Sequence, residues 1–217
     1  MHYREILNIS LEYILNMKKL IFIIIIIIII LFFGGQFIQQ QEYSSKFNNY
    51  TNKYVNGDFE VEMSGLLHDS KGNTNINIVF NHKSGKHSLL VEYDLTNYKV
   101  FGLFDGKISH SCDFSNNEWN CNLTNDVLAI APNDIVPTIL ETETFKITSV
   151  TKEIIAKQDS ECFNFSEIDG TFKICFNKQG IITKIESISK DNITWFKYIA
   201  QKVSNKANEK LLVLPIN

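Results

Sequence analysis

The residues of this chain whose spacing most directly implies chemistry are its four cysteines. The chemistry they imply is oxidation in pairs. Cys112 and Cys121 enclose Asp-Phe-Ser-Asn-Asn-Glu-Trp-Asn, and a two-residue turn at Asn116-Asn117 suits asparagine, which tolerates positive φ. That register sets Ser115 opposite Glu118, Phe114 opposite Trp119 and Cys112 opposite Cys121, with Cys112, Phe114, Trp119 and Cys121 on one face. The second pair follows the same logic. A loop Glu167 to Gly170, with Gly170 left-handed, sets Phe165 opposite Phe172, Phe163 opposite Ile174 and Cys162 opposite Cys175. The predicted disulfides are therefore Cys112–Cys121 and Cys162–Cys175. Four free thiols or a zinc site are the alternatives. Neither pair has C-x-x-C spacing, and of the histidines only His110 lies nearby in sequence.

Other reactive types are scattered. The histidines are His2, His68, His82, His87 and His110, and none falls in an H-E-x-x-H pattern. There is no G-x-S-x-G and no phosphate-binding glycine loop, and Asp105-Gly106 and Asp169-Gly170 read as hairpin turns. The expectation is a protein that is not an enzyme and carries no cofactor or metal. Sequons place candidate glycosylation sites at Asn49, Asn122, Asn164 and Asn192. A net charge of −3 leaves no basic footprint for nucleic acid.

Paired cysteines need an oxidising compartment, and the N-terminal residues supply the route to one. Leu20 to Phe33 contains only Leu, Ile and Phe, and Ile23 to Ile30 is unbroken isoleucine. Residues 20–38 read as a transmembrane helix or uncleaved signal anchor, because about 20 apolar residues span a bilayer core. Arg4, Lys18 and Lys19 precede the run and no Lys or Arg follows until Lys46, so residues 1–19 are expected in the cytoplasm and the remainder outside the cell membrane. Secretion after signal cleavage is the rival reading, and Met17 is the alternative start. Against cleavage, bulky Phe33 stands where a site ending at Gly35 wants a small residue.

The elements that must position the cysteines follow from periodicity. Tyr43, Phe47, Tyr50 and Tyr54 share a helical face within a stalk, 39–57, that Gly57 ends. From Asp58 the period becomes two: Phe59, Val61 and Met63 alternate with Glu60, Glu62 and Ser64. Turns at Ser84-Gly85, Asp105-Gly106, Gln158-Asp159, Gln179-Gly180 and Asp191-Asn192 punctuate a β-rich extracytoplasmic domain, 58–204. Two short helices, 126–131 and 134–141, interrupt it, and the tail, 205–217, is apolar enough to pack back on the sheet. Sixteen phenylalanines fit either an ordinary sheet core or a sheet curled around an apolar cavity with those helices as its lid.

This order of elements, with strand-turn segments around Asp105-Gly106 and from Cys162 through Ile181-Ile-Thr-Lys-Ile185, resembles the LolA/LolB-like lipoprotein-carrier fold over roughly Phe47 to Val203. The resemblance implies a mainly β (α+β) architecture: an antiparallel meander curled into an incomplete barrel with short lid helices, here preceded by one transmembrane helix. It implies a bilayer-tethered domain binding a lipid or other apolar ligand. The alternative is a structural or adhesive envelope protein that binds a protein partner.

Overall fold

The computed structural model describes residues 38–69, 72–83, 85–94, 96–124, 146–167 and 169–215. The expected lid helices, 126–131 and 134–141, and the membrane span, except Ile38, lie outside them. No helix among the described residues is long and apolar enough to cross a membrane. The chain divides between Ser44 and Ser45 into two units, and the second carries the sheet.

The alternation that begins at Asp58 builds eleven antiparallel strands: β1 (Asp58–Asp69), β2 (Gly72–Lys83), β3 (Lys86–Tyr93), β4 (Lys99–Phe104), β5 (Ser109–Ser115), β6 (Glu118–Thr124), β7 (Lys146–Ile155), β8 (Gln158–Glu167), β9 (Gly170–Asn177), β10 (Ile182–Ser189) and β11 (Thr194–Ser204). They form one unclosed sheet in the order β6-β5-β4-β3-β2-β1-β11-β10-β9-β8-β7. Every pairing but one joins strands that are consecutive in sequence. The exception joins the two halves: β1 pairs with β11, from Glu60 opposite Ser204 to Leu67 opposite Phe196.

Local chemistry accounts for most turns. Asn116 and Asn117 both adopt positive φ (54° and 66°), as a two-residue hairpin turn requires. Two expectations need correction. The β7–β8 turn lies at Ala156-Lys157, both left-handed, rather than at Gln158-Asp159. Pairing Glu153 with Ser160 and Thr151 with Cys162 keeps Phe163 and Phe165 on the core side, and that burial outweighs the poor local fit of Ala and Lys. Gly170 is a strand residue paired with Glu167, so the loop is shorter than expected. Its glycine is required for space, since a Cβ there would lie 2.1 Å from the Ile188 carbonyl oxygen.

The helix α1, described over 38–55, buries Phe47, Thr51 and Tyr54 against one face of the sheet. Spacings of four and then three residues are those of one face of an amphipathic helix. Phe59, Val61, Phe80, Phe163, Phe165, Ile174 and Phe176 complete this core. Burial of a large apolar side chain is worth about 1.5–3 kcal/mol, so α1 is held by its aromatic stripe rather than by helix propensity.

Candidate functional site

Strand alternation gives the sheet two chemically different faces. On the helix-bearing face the floor is aromatic. Phe47 meets Phe163 and Phe165 edge-on at ring-centroid distances of 5.1 and 5.3 Å, and Tyr50 stacks on Phe176 at 5.6 Å. Tyr54 lies 5.1 Å from Phe59 and stacks on Phe80 at 6.1 Å. The row continues through His82 and His87, which are direct cross-strand partners, to Phe104. Leu67, Tyr93, Phe104 and Phe196 extend the same face and are half-buried.

Three polar groups are sunk in that floor. His82 donates from Nδ1 to the Gly57 carbonyl at 2.7 Å, which seats the end of α1 on β2. Burial lowers the His82 pKa against the opposing pull of Gly57 and Asp58. Burial, with the neighbouring His82, takes His87 down to about 4. Both imidazoles are therefore neutral at pH 7. The Tyr54 hydroxyl is buried with no hydrogen-bond partner among the described residues, and burial holds its pKa well above the usual phenol value.

The opposite face carries both disulfides. Cys112–Cys121 and Cys162–Cys175 join directly opposed residues, as the hairpin registers require. Beside Cys162–Cys175 runs an ion ladder across β7, β9, β10 and β11: Lys173–Glu153 (2.9 Å), Glu153–Lys184 (3.3 Å), Lys184–Glu186 (3.1 Å) and Glu186–Lys197 (3.2 Å). Burial alone would raise the two glutamates, but their lysine partners hold both pKa values below the ordinary one. Glu153, Cys162 and Cys175 cluster closely enough to suggest a metal site. The disulfide occupies both sulfurs, so the donor set is not available.

Around the other disulfide, Phe101, Leu103 and Cys112 form a small second core with Leu90, Trp119 and Leu214. Leu214 arrives on the C-terminal tail. Buried Asn81 clamps that tail by donating Nδ2 to the Asn208 carbonyl (3.0 Å) and accepting from the Asn208 N–H (2.7 Å). Asp58 accepts from the Ala207 N–H at 2.7 Å, and Lys83 pairs with Glu209.

Of the sequon asparagines, Asn49, Asn122 and Asn192 are exposed, on α1, on β6 and in the β10–β11 turn. Asn164 is half-buried and spends its amide on Ser149 Oγ at 3.1 Å. The four cysteines are thus brought together in their expected pairs, whereas the sequons are dispersed. Sequence reasoning placed Tyr54 on the helical stripe but did not single out Asn81 or the pairing of His82 with His87. The one signal for the histidines was their equal spacing about the Ser84-Gly85 turn, which sets them opposite each other.

No family model matches the chain, and no curated protein matches it. Solved structures do. The crystal structure of MucB is similar over 79% of this chain and 63% of MucB, at 12% identity and a TM-score of 0.53. The Pseudomonas aeruginosa MucA/MucB complex is similar over 78% of this chain and 60% of that chain, at 10% identity and a TM-score of 0.52. An uncharacterized conserved protein from Thermus thermophilus is similar over 79% of this chain and 94% of that chain, at 6% identity and a TM-score of 0.51. The chain spans about three fifths of MucB. At such identities the likeness is one of fold alone.

Proposed function

On this LolA/LolB-like sheet, we propose, the chain works as a membrane-tethered extracytoplasmic binding domain rather than an enzyme. It holds a lipid or other apolar ligand on the helix-bearing face, with the unclosed sheet acting as an incomplete barrel. The observation that carries this reading is the aromatic floor continuing past α1 into the half-buried Leu67, Tyr93, Phe104 and Phe196. A sheet that needed only to bury its own core would not spread aromatic surface where its helix does not cover it. The isoleucine run supports the tether, and the two disulfides support an oxidising exterior.

Native mass spectrometry and solvent extraction of the detergent-purified full chain test this. A stoichiometric lipid is expected, and its loss is expected in Phe196→Glu, a change at the half-buried margin. A chain that carries no lipid from any host membrane sinks the reading.

A second reading follows from one finding: MucB has been solved in complex with MucA. A protein partner in the envelope is therefore the alternative occupant. Crosslinking in intact cells, followed by mass spectrometry, would show one recurrent partner in place of lipid.

A further inference from the structure

We infer that Asn122 and Asn192 carry N-linked oligosaccharides. Each heads an Asn-x-Thr triplet whose middle residue is an exposed apolar side chain: Leu123 is 70% exposed and Ile193 is 43% exposed. Asn122 and Thr124 share one face of β6, the strand at the sheet's edge, because alternate residues of a strand point the same way. Asn192 sits exposed in the β10–β11 turn with a φ of 60°, and its N–H donates to the Ser189 carbonyl at 3.0 Å. A left-handed backbone accounts for asparagine there, but not for the threonine two residues on. At the other two sequons the fold withdraws the acceptor. Asn164 is half-buried and donates to Ser149 Oγ at 3.1 Å, and its neighbour Phe165 is buried in the core. In Asn49-Tyr50-Thr51 the threonine is buried, and its hydroxyl donates to the Asn48 carbonyl at 3.0 Å.

The transfer is a substitution at an anomeric carbon. Asparagine Nδ2 forms the new C–N bond to the first sugar of a polyprenyl-diphosphate-linked oligosaccharide. The bond from that carbon to the diphosphate oxygen breaks, and the amide gives up one proton as the diphosphate leaves. The hydroxyl two residues on, from Thr124 or Thr194, completes the acceptor triplet. This chemistry takes place outside the cytoplasm, so both sites rest on the exported reading proposed above. Each glycan then covers surface that the sheet leaves bare. Among the described residues no strand lies beyond β6, and a bulky polar group on that edge strand blocks its pairing with another chain. Beside Asn192, Trp195 is the extra residue of the β10–β11 bulge, between Thr194 opposite Ile188 and Phe196 opposite Ser187, and is 44% exposed. It lies within about 10 Å of Asn192 along the chain. The C–H face of the first sugars packs on this indole and on Ile193, while their hydroxyls stay in water.

The full chain, tagged and expressed in its native cells, is digested without reduction, and N-glycosidase in heavy-oxygen water marks each asparagine that bore a glycan. Marks are expected at Asn122 and Asn192 and none at Asn49 or Asn164. Asn122→Gln and Asn192→Gln should each remove the mass of one glycan. The chain has two tryptophans, so Trp119→Phe leaves Trp195 as sole reporter, and adding Asn192→Gln should raise its quenching by acrylamide. The same digest reports both disulfides. Intact disulfides with Asn122 or Asn192 unmarked overturn the glycan assignment and leave the exported reading standing, whereas free thiols overturn both. A mark at Asn164, or quenching of Trp195 that Asn192→Gln leaves unchanged, overturns the selection of sites by the fold.

Discussion

His82 and His87 are where single side chains give this fold a pH dependence. Both are buried on the helix-bearing face and both have folded-state pKa values below the ordinary 6.5, His87 down to about 4. The unfolded chain therefore takes up protons first as pH falls. Their contribution is fully present above pH 6.5 and is lost progressively as pH drops toward 4. The glutamates of the ion ladder act in the same direction but over a lower window, below their ordinary value of 4.5. The two effects separate between about pH 6.5 and 5. Urea denaturation of His87→Phe should show a shallower loss of stability over that interval than the parent. Parallel curves for variant and parent would mean that His87 is not the titrating group. At this same scale Asn81 stands in for a strand, since one side-chain amide captures both the backbone N–H and the carbonyl of Asn208.

Among the elements, the two disulfide hairpins are the most self-contained. Their registers follow from period-two alternation and turn chemistry, and each bridge closes a short loop, worth about 2–3 kcal/mol in the chain-entropy account. They are not equivalent in packing. Cys162 and Cys175 are both buried under the ion ladder, whereas Cys121 is exposed on the edge strand β6. Cys162→Ser with Cys175→Ser should therefore cost more than Cys112→Ser with Cys121→Ser, by about 1 kcal/mol or more, because it also buries two hydroxyls. Chemical denaturation of both double variants checks the order, and equal losses would show that loop closure alone matters. The β7–β8 hairpin shows the limit of local reasoning. Ala156-Lys157 is a poor left-handed turn by type, yet it sets the register that keeps Phe163 and Phe165 buried.

At the scale of the molecule, the sheet is two meanders joined by the first strand pairing with the last, and the tail then crosses to a face that α1 does not cover. Deleting residues 205–217 removes Leu214 from the cluster of Phe101, Leu103 and Cys112 and leaves the buried Asn81 amide unpaired. Together these should lower stability by about 3 kcal/mol or more and raise binding of hydrophobic dyes. An unchanged unfolding midpoint would show that the tail is ornamental. The edge strands β6 and β7 stand at opposite sides of the sheet although they are consecutive in sequence.

The sequence alone determined what depends on neighbours along the chain: the helical aromatic stripe of α1, both disulfide pairings, and the strand alternation that separates two faces. These are legible because side-chain period and turn preference are local properties. Only the tertiary structure decided which face α1 covers, where the tail lies, and that Glu60 pairs with Ser204. Alternation says that the faces differ without saying what covers either one, and contacts between distant residues leave no local pattern. Ser64 and Gln201 become neighbours only when β1 meets β11, and no spacing in the chain announces it.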